Sequence, residues 1–234
     1  MKAIFKKELK SYFTSPVGYV YMAVYFAFAS LIFSSLILYG ISDMQSVFAS
    51  LTLSFFIIPV ITMKTIAEEK KAKTDQLLLT APISVCDIVI GKILAAFTMY
   101  AIPTLCTAVF AIIFEIFGSV SWNTVVSSYI GLLLIGLIYV SAGVFISSIT
   151  ENQIIAAVVS FAFVLFASVY DSFIVPLFEN EVVYSIFNWF SINMRFSDFY
   201  YGIISFETVV YYLSLIALFA VLTVNGIEKR RFQK

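Results

Sequence analysis

The chain has 234 residues, of which 62% are hydrophobic and only 12% are charged, and its 14 Lys and Arg balance its 14 Asp and Glu. Soluble domains average about 45–50% apolar and about 25% charged residues, so the composition excludes an ordinary soluble protein and indicates a membrane protein. The 25 Phe and 14 Tyr exclude disorder. Zero net charge gives no support for nucleic-acid binding, and the lack of histidine removes the commonest general base and metal ligand.

Residues 1–15 are predicted to form an amphipathic helix on the inner membrane surface. Its apolar positions recur at i, i+4, i+7 and i+8, and they are Phe5, Leu9, Tyr12 and Phe13. Its basic residues occupy the other faces, and they are Lys2, Lys6, Lys7 and Lys10. The alternative is a basic flank that only sets membrane topology. Ser15-Pro16 then predicts a turn into the bilayer.

Six stretches without Asp, Glu, Lys or Arg predict six transmembrane helices, because about 20 residues at 1.5 Å rise cross the hydrocarbon core. We place the spans at 17–39, 47–63, 93–117, 125–147, 154–175 and 208–227. Together they form a single all-α transmembrane domain over residues 1–234. The two cysteines, Cys86 and Cys106, fall in a charged segment and an apolar run respectively, so no disulfide is expected.

The basic residues predict the orientation of the chain. Thirteen of the 14 precede the first span, separate the second from the third, or follow the sixth, and Arg195 alone lies on the other side. The positive-inside rule therefore places both termini in the cytoplasm. We expect the protein in the inner (plasma) membrane. Divided in this way, the net charge of zero becomes +6 on the cytoplasmic side and −6 on the outer side.

The cytoplasmic segment 64–92 is predicted to contain a charged helix, a break at Ala81-Pro82, and a second helix that Ser84 caps, with Asp87 in its first turn. Two helices that lead directly into a span could carry force from a soluble partner to the membrane. The alternative is a solvated loop that joins two spans.

The outer stretch 176–207 is too polar to cross the membrane, yet it is rich in aromatic residues. We expect short helices at the outer interface, anchored by Trp189, Tyr200 and Tyr201. Two acids, Glu115 and Asp171, lie at the outer ends of spans and are candidates for an outer vestibule. They are equally compatible with interfacial residues that end a helix, which is the simpler interpretation.

Several motifs resemble the type-2 ATP-binding-cassette (ABC-2) permease family, and most specifically its gliding-motility and nitrous-oxide-reductase-maturation branch. The motifs are TIAEEK at 65–70, Thr74, LLLT at 77–80, Pro82, SPVGY at 15–19, TENQ at 150–153 and EKRR at 228–231. Within the cytoplasmic segment, Lys73 stands where the family usually has glycine.

The resemblance implies a transmembrane subunit that rests on a separate ABC ATPase, which binds ATP and Mg, and that pairs with an identical or related permease subunit. It places the ATPase contact on segment 64–92, which we call the coupling segment, at Glu68, Glu69, Lys70, Thr74, Leu77, Leu78, Thr80 and Pro82. The chain has no phosphate-binding loop, because its only Gly-Lys pair, Gly91-Lys92, precedes Ile93 and follows no glycine at the required spacing. We therefore expect no enzyme activity and no bound cofactor or metal in this chain.

Three functions remain open at this point. The first is an ATP-driven permease that works as an exporter. Its almost uniformly apolar spans favour an amphiphilic cargo or mechanical work such as gliding motility. The second is a stand-alone carrier or channel, although the absence of charges near the middle of the spans counts against proton coupling. The third is a membrane scaffold of a motility or maturation complex.

The predicted orientation is tested by Ser84→Cys in a chain whose two native cysteines are replaced by serine. A membrane-impermeant thiol reagent should label this cysteine only after intact cells are opened, because segment 64–92 is predicted to be cytoplasmic. Labelling from outside intact cells would overturn the orientation.

Overall fold

The computed structural model describes residues 1–40, 44–74, 83–117, 120–170 and 181–232, and every regular element within these ranges is a helix. The predicted all-α class is therefore confirmed for the described residues.

The chain begins with helix α1, Lys2–Thr14, and turns at Ser15 into helix α2, Pro16–Leu38. The Ser15 backbone is extended, and its hydroxyl accepts a hydrogen bond from the Val17 amide at 3.2 Å. Serine at the cap and proline at the first helical position are the residues that favour a helix start. The predicted turn at Ser15-Pro16 is therefore confirmed.

Helix α1 is amphipathic, and three of the four residues predicted for its apolar face are buried in the core or pack against it, but the most buried stripe is a different one. Ile4 and Tyr12 are buried, and Glu8 lies between them on the same face with its side chain only 12% exposed. Phe13, which the periodicity assigns to the apolar face, is 37% exposed. The i, i+4, i+8 stripe was missed because its central residue is charged.

The second predicted span is an interrupted helical run. It consists of α3, Met44–Leu51, a 3₁₀ stretch, Thr52–Ile57, and α4, Ile58–Thr62. After a turn, the five-residue helix α5, Ala67–Lys71, forms the described part of the predicted charged helix.

The third predicted span is helix α6, Val85–Cys106, followed by α7, Ala108–Phe117. Helix α6 begins eight residues before the predicted span, where the Ser84 hydroxyl accepts from the Asp87 amide at 3.1 Å. Ser84 is thus confirmed as the N-cap of a helix that continues without a break into the span. The remaining long helices are α8, Trp122–Ile149, α9, Gln153–Val169, and α12, Phe206–Phe232.

Between α9 and α12 the described residues form short helices, as expected. They are α10, Glu181–Trp189, a 3₁₀ turn, Met194–Phe196, and α11, Ser197–Tyr200.

Five helical runs are long and apolar enough to cross a membrane, and they are Pro16–Leu38, Met44–Lys71, Val85–Ile116, Trp122–Ile149 and Phe206–Arg230. The fifth predicted span corresponds to the shorter apolar helix Gln153–Val169, and its residues 171–175 lie outside the described part of the chain. Five of the six predicted spans therefore have a matching helix of sufficient length.

Helix α8 lies at the centre of the bundle. In its most apolar 18-residue stretch 67% of the residues are buried, compared with 17% in the corresponding stretches of α2 and α12. Its neighbours approach closely at glycine. A Cβ atom on Gly136 would lie 2.0 Å from Cε1 of Tyr100, whose fully buried hydroxyl donates to the backbone oxygen of Leu132 at 3.1 Å. Only glycine accommodates this ring against the helix backbone.

The charged elements meet at one end of the bundle, which we call the charged end. It comprises α1, α5, the first turns of α6, the last turns of α8 and α12, and the start of α9. There Arg230 of α12 pairs with Glu151 in the turn before α9 at 2.5 Å. Helix α1 and the last described turns of α12 therefore lie near the same end.

The cysteines occupy opposite ends of α6. Cys86 lies in its first turn and Cys106 is its last residue, and both thiols are free and exposed. The expectation that they form no disulfide is confirmed.

The close contact at Gly136 gives a stability prediction. Gly136→Ala should lower the free energy of unfolding by about 1–3 kcal/mol, because the added methyl group overlaps the Tyr100 ring in a packed core. Thermal unfolding in detergent, followed by circular dichroism, measures the change.

Gly226→Ala is the matched control, since the nearest atom to an added Cβ there is Oγ of Ser148 at 3.8 Å. Alanine favours a helix by about 1 kcal/mol over glycine, so this variant should be neutral or stabilised. Equal losses in both variants would contradict the packing argument.

Candidate coupling site

A buried lysine is at the centre of the charged end. The Lys92 side chain lies two turns into α6 and is only 1% exposed. Its ammonium group contacts Oε1 of Glu8 at 3.0 Å, Oε2 of Glu69 at 2.8 Å and the backbone oxygen of Thr65 at 2.6 Å. An ammonium group has three donors, so its hydrogen-bonding capacity is fully used.

A second lysine balances the charge of this group. Lys7 Nζ lies 3.2 Å from Oε1 of Glu69 and 3.9 Å from Oε1 of Glu8. Lys7, Glu8, Glu69 and Lys92, which we call the Lys92 cluster, thus contain two positive and two negative charges. Because these residues come from α1, α5 and α6, the cluster joins the N-terminal helix, the coupling segment and the third span.

Tyr12 makes a second contact between α1 and the second span. Its buried hydroxyl donates to the backbone oxygen of Ile61 at 2.7 Å. Burial raises the pKa of the Tyr12 phenol, and the nearby Glu8 and Glu68 carboxylates raise it further, so the hydroxyl keeps the proton that it donates. Lys64 Nζ lies 5.2 Å from the centre of the Tyr12 ring and donates to Oγ of Ser15 at 2.9 Å.

The residues predicted to contact an ATPase point in different directions. Glu68 is exposed at the surface of α5. Glu69 lies in the Lys92 cluster, and Lys70 is only 7% exposed and donates to the backbone oxygen of Ser148 in α8. Glu69 and Lys70 therefore hold the segment against the rest of the chain, and Glu68 presents its carboxylate outward.

The backbone at the end of α5 explains why glycine is usual at the position of Lys73. Lys73 has a φ of 57°, in the left-handed region, and it is the one non-glycine residue with positive φ in the described ranges. The amide of Lys73 bonds the Lys70 oxygen at 3.1 Å, and the amide of Thr74 bonds the Glu69 oxygen at 2.9 Å. These two bonds form a Schellman motif, in which glycine is the favoured residue at the left-handed position. The predicted contact residues that follow, Leu77, Leu78, Thr80 and Pro82, lie outside the described residues.

An open groove of about 740 Å³ runs between α1 and α5 at the charged end. Its lining includes Lys7 and Tyr12 of α1, Lys64 in the turn before α5, and Glu68 and Glu69 of α5. The groove therefore presents charges of both signs.

Of the two acids predicted at the outer ends of spans, only Glu115 is among the described residues. Glu115 is exposed, and its Oε2 accepts a hydrogen bond from the Val120 amide at 3.0 Å, an arrangement that suits a residue near the end of a helix. Asp171 lies outside the described residues. Of the predicted aromatic anchors, Trp189 and Tyr201 are 53% and 70% exposed, and Tyr200 is half-buried against Phe196.

The end opposite the charged end contains a cavity of about 630 Å³ that the sequence analysis missed. Arg195, which lines it, lies 4.6 Å from the Tyr211 ring centre, pairs with Glu207 at 3.1 Å and donates to the backbone oxygen of Trp189 at 3.2 Å. A signal for this site was present, since Arg195 is the one basic residue assigned to the outer side.

The central role of Lys92 was not predicted from the sequence, in which Lys92 counts only among the basic residues that set topology. The available signal was its position inside α6, eight residues after the Ser84 cap, among almost entirely apolar neighbours. A lysine in such surroundings requires a partner of opposite charge.

Removing the central charge should destabilise the protein. In Lys92→Met, the Glu8 and Glu69 carboxylates lose their shared cation, and breaking a buried pair on one side costs about 3–5 kcal/mol. Lys71→Met is the control, because Lys71 is an exposed lysine of α5, the helix that carries Glu69, and its loss should change stability little. Equal losses would contradict the central role of Lys92. Adding Glu8→Gln and Glu69→Gln to Lys92→Met should recover part of the loss in thermal unfolding.

Comparison with known proteins identifies the family. A family model described as ABC-2 family transporter protein matches residues 2–234, which is nearly the whole chain. No curated protein matches it. The chain therefore belongs to the ABC-2 transporter family, whose members are membrane subunits, and not the ATPases, of ABC transporters.

Proposed function

We propose that this chain is the permease subunit of an ATP-driven exporter and that the Lys92 cluster transmits the motion of a separate ATPase to the membrane helices. The observation that carries the proposal is the contact of a fully buried Lys92 with both Glu8 and Glu69. It makes α1, α5 and the start of α6 move together, so a force applied to the coupling segment reaches the second and third spans.

The proposed orientation places the charged end in the cytoplasm. The positive-inside rule supports it, because the basic residues before the first span, around α5 and after the sixth span are grouped at one end of the bundle. The protein would then lie in the inner membrane with both termini in the cytoplasm. The ATPase would approach the groove between α1 and α5 from that side and would hold the ATP and Mg.

The proposed contact is between Glu68 and a basic side chain of the ATPase. Glu68 is exposed, lines the groove and is free of the ion pairs that hold Glu69, among the residues that the structure describes. A charge-assisted hydrogen bond of this kind contributes about 1.5–3 kcal/mol. The partner is therefore expected to present Arg or Lys toward α5.

The apolar character of the spans favours one class of cargo. The helices are apolar and contain few charges, which favours an amphiphilic cargo or mechanical work, including gliding motility, over the passage of small ions. A pathway between two such subunits, identical or related, fits a helical bundle whose outer helices α2 and α12 are mostly unburied. The similarity of the motifs to the gliding-motility and nitrous-oxide-reductase-maturation branch supports this narrower assignment.

Affinity purification of the tagged chain from membranes tests the proposal. The native protein should retain an ATP-binding subunit, and Glu68→Lys should weaken that association by about 10 to 150-fold, as expected for the loss of one charge-assisted bond. Glu228→Lys is the control, because Glu228 is an exposed acid near the same end but on α12.

Three outcomes would contradict the proposal in different ways. Absence of an ATP-binding subunit with the native chain would favour a carrier, channel or scaffold. Normal association and ATPase rate in Glu68→Lys would exclude the proposed contact. Equal losses in both variants would indicate a nonspecific effect of charge reversal.

A further inference from the structure

The start of α5 is held by a side chain from the fourth span. Ser147 lies near the end of α8 and is completely buried. Its hydroxyl oxygen accepts hydrogen bonds from the amides of Ile66 at 3.2 Å and Ala67 at 3.0 Å, and the hydroxyl donates to the backbone oxygen of Met63 at 3.1 Å. A serine hydroxyl has one donor and two acceptor positions, so all of them are directed at the turn between α4 and α5.

Two further contacts hold the same region against α8. The Lys70 ammonium group donates to the backbone oxygen of Ser148. At Gly143, one turn before Ser147, a Cβ atom would lie 2.3 Å from Oγ1 of Thr62, so the two backbones approach as closely as glycine permits. The turn before α5, the helix itself and the end of α4 are thus all in contact with one face of α8.

We propose that Ser147 is a positioning residue through which the coupling segment moves the fourth span. Chain connectivity alone links this segment only to the second and third spans. Ser147 adds a direct connection to α8, the most buried helix of the bundle. The inference rests on the proposed function, because it assigns a route to the motion that the ATPase supplies.

The connection extends beyond α8. Four residues after Ser147, Glu151 pairs with Arg230 near the end of α12 at 2.5 Å. A displacement of α5 that Ser147 transmits to the end of α8 therefore also reaches the sixth span.

The chain offers a matched control at the next position. Ser148 is also buried, but its hydroxyl donates to the backbone oxygen of Phe145 within α8 at 2.6 Å. Lys70 contacts the backbone oxygen of Ser148, which substitution by alanine leaves in place. Ser147→Ala removes the contact between elements, and Ser148→Ala removes a bond within one helix.

The first measurement is hydrogen exchange of the full-length protein in lipid nanodiscs, with mass spectrometry at single-residue resolution. In Ser147→Ala, the Ile66 and Ala67 amides should exchange about tenfold faster than in the native chain, because they lose a buried acceptor. In Ser148→Ala they should exchange at the native rate. Unchanged exchange in Ser147→Ala would overturn the proposal.

The second measurement separates positioning from structural support. Ser121→Cys, at an exposed residue before the first turn of α8, reports on the far end of that helix in a chain whose native cysteines are replaced by serine. In the complex with its ATPase, the labelling rate of this cysteine should change when ATP is added. Ser147→Ala should retain the ATPase and its basal rate but lose at least half of the ATP-dependent change, and Ser148→Ala should keep it.

The outcomes are distinguishable. A full ATP-dependent change in Ser147→Ala would overturn the positioning role. If the alanine variant does not accumulate, Ser147→Cys keeps a side chain of similar size with a weaker acceptor and should speed exchange of the Ile66 and Ala67 amides in the same way. If the native chain retains no ATPase, the proposed function fails, and hydrogen exchange still decides whether Ser147 holds the segment.

Discussion

The structure at the charged end depends on the burial of one ammonium group. Removing a lysine from water is costly unless its charge is paired and its donors are bonded, and Lys92 meets both conditions through Glu8, Glu69 and the Thr65 carbonyl. None of the three elements can move away without leaving a buried charge or polar atom unsatisfied. On the proposed function, the amphipathic helix, the coupling segment and the third span behave as one body, whose position relative to the bundle the ATPase changes.

The interior of the bundle determines how such a displacement spreads. Tyr25 of α2 is within hydrogen-bond distance of Thr104 of α6 at 2.9 Å, and Tyr100 of α6 bonds the Leu132 backbone of α8 at 3.1 Å. These bonds have no water to compete with them in an apolar interior, so they favour rigid movement of the helices they join. The second span differs, because a 3₁₀ stretch, Thr52–Ile57, interrupts its α-helix. Bending in that span is expected there.

Local sequence signals predicted most of the fold, and they failed where distant residues decide the structure. Charge-free stretches identify spans because the bilayer excludes charge, and Ser84 caps α6 through a bond to an amide three residues away. The roles of Glu69 and Lys92 depend on contacts across 23 or more residues, so nothing in their immediate neighbourhood separates a buried ion pair from a solvated one. The family resemblance supplied the region of the coupling segment, but only the contacts separate Glu68 from Glu69 and Lys70 within it.

The cysteines of α6 have a consequence for how two copies of the chain could be arranged. Cys86 and Cys106 are 20 residues apart on one continuous helix, a separation of about 30 Å, close to the thickness of the hydrocarbon core. Within one molecule the thiols cannot meet. In a pair of parallel subunits, oxidation can join only like to like, Cys86 to Cys86 or Cys106 to Cys106, whereas an antiparallel pair brings unlike cysteines to the same level. The pairs of cysteines that oxidation joins between copies of the native chain would therefore report the relative orientation of those copies.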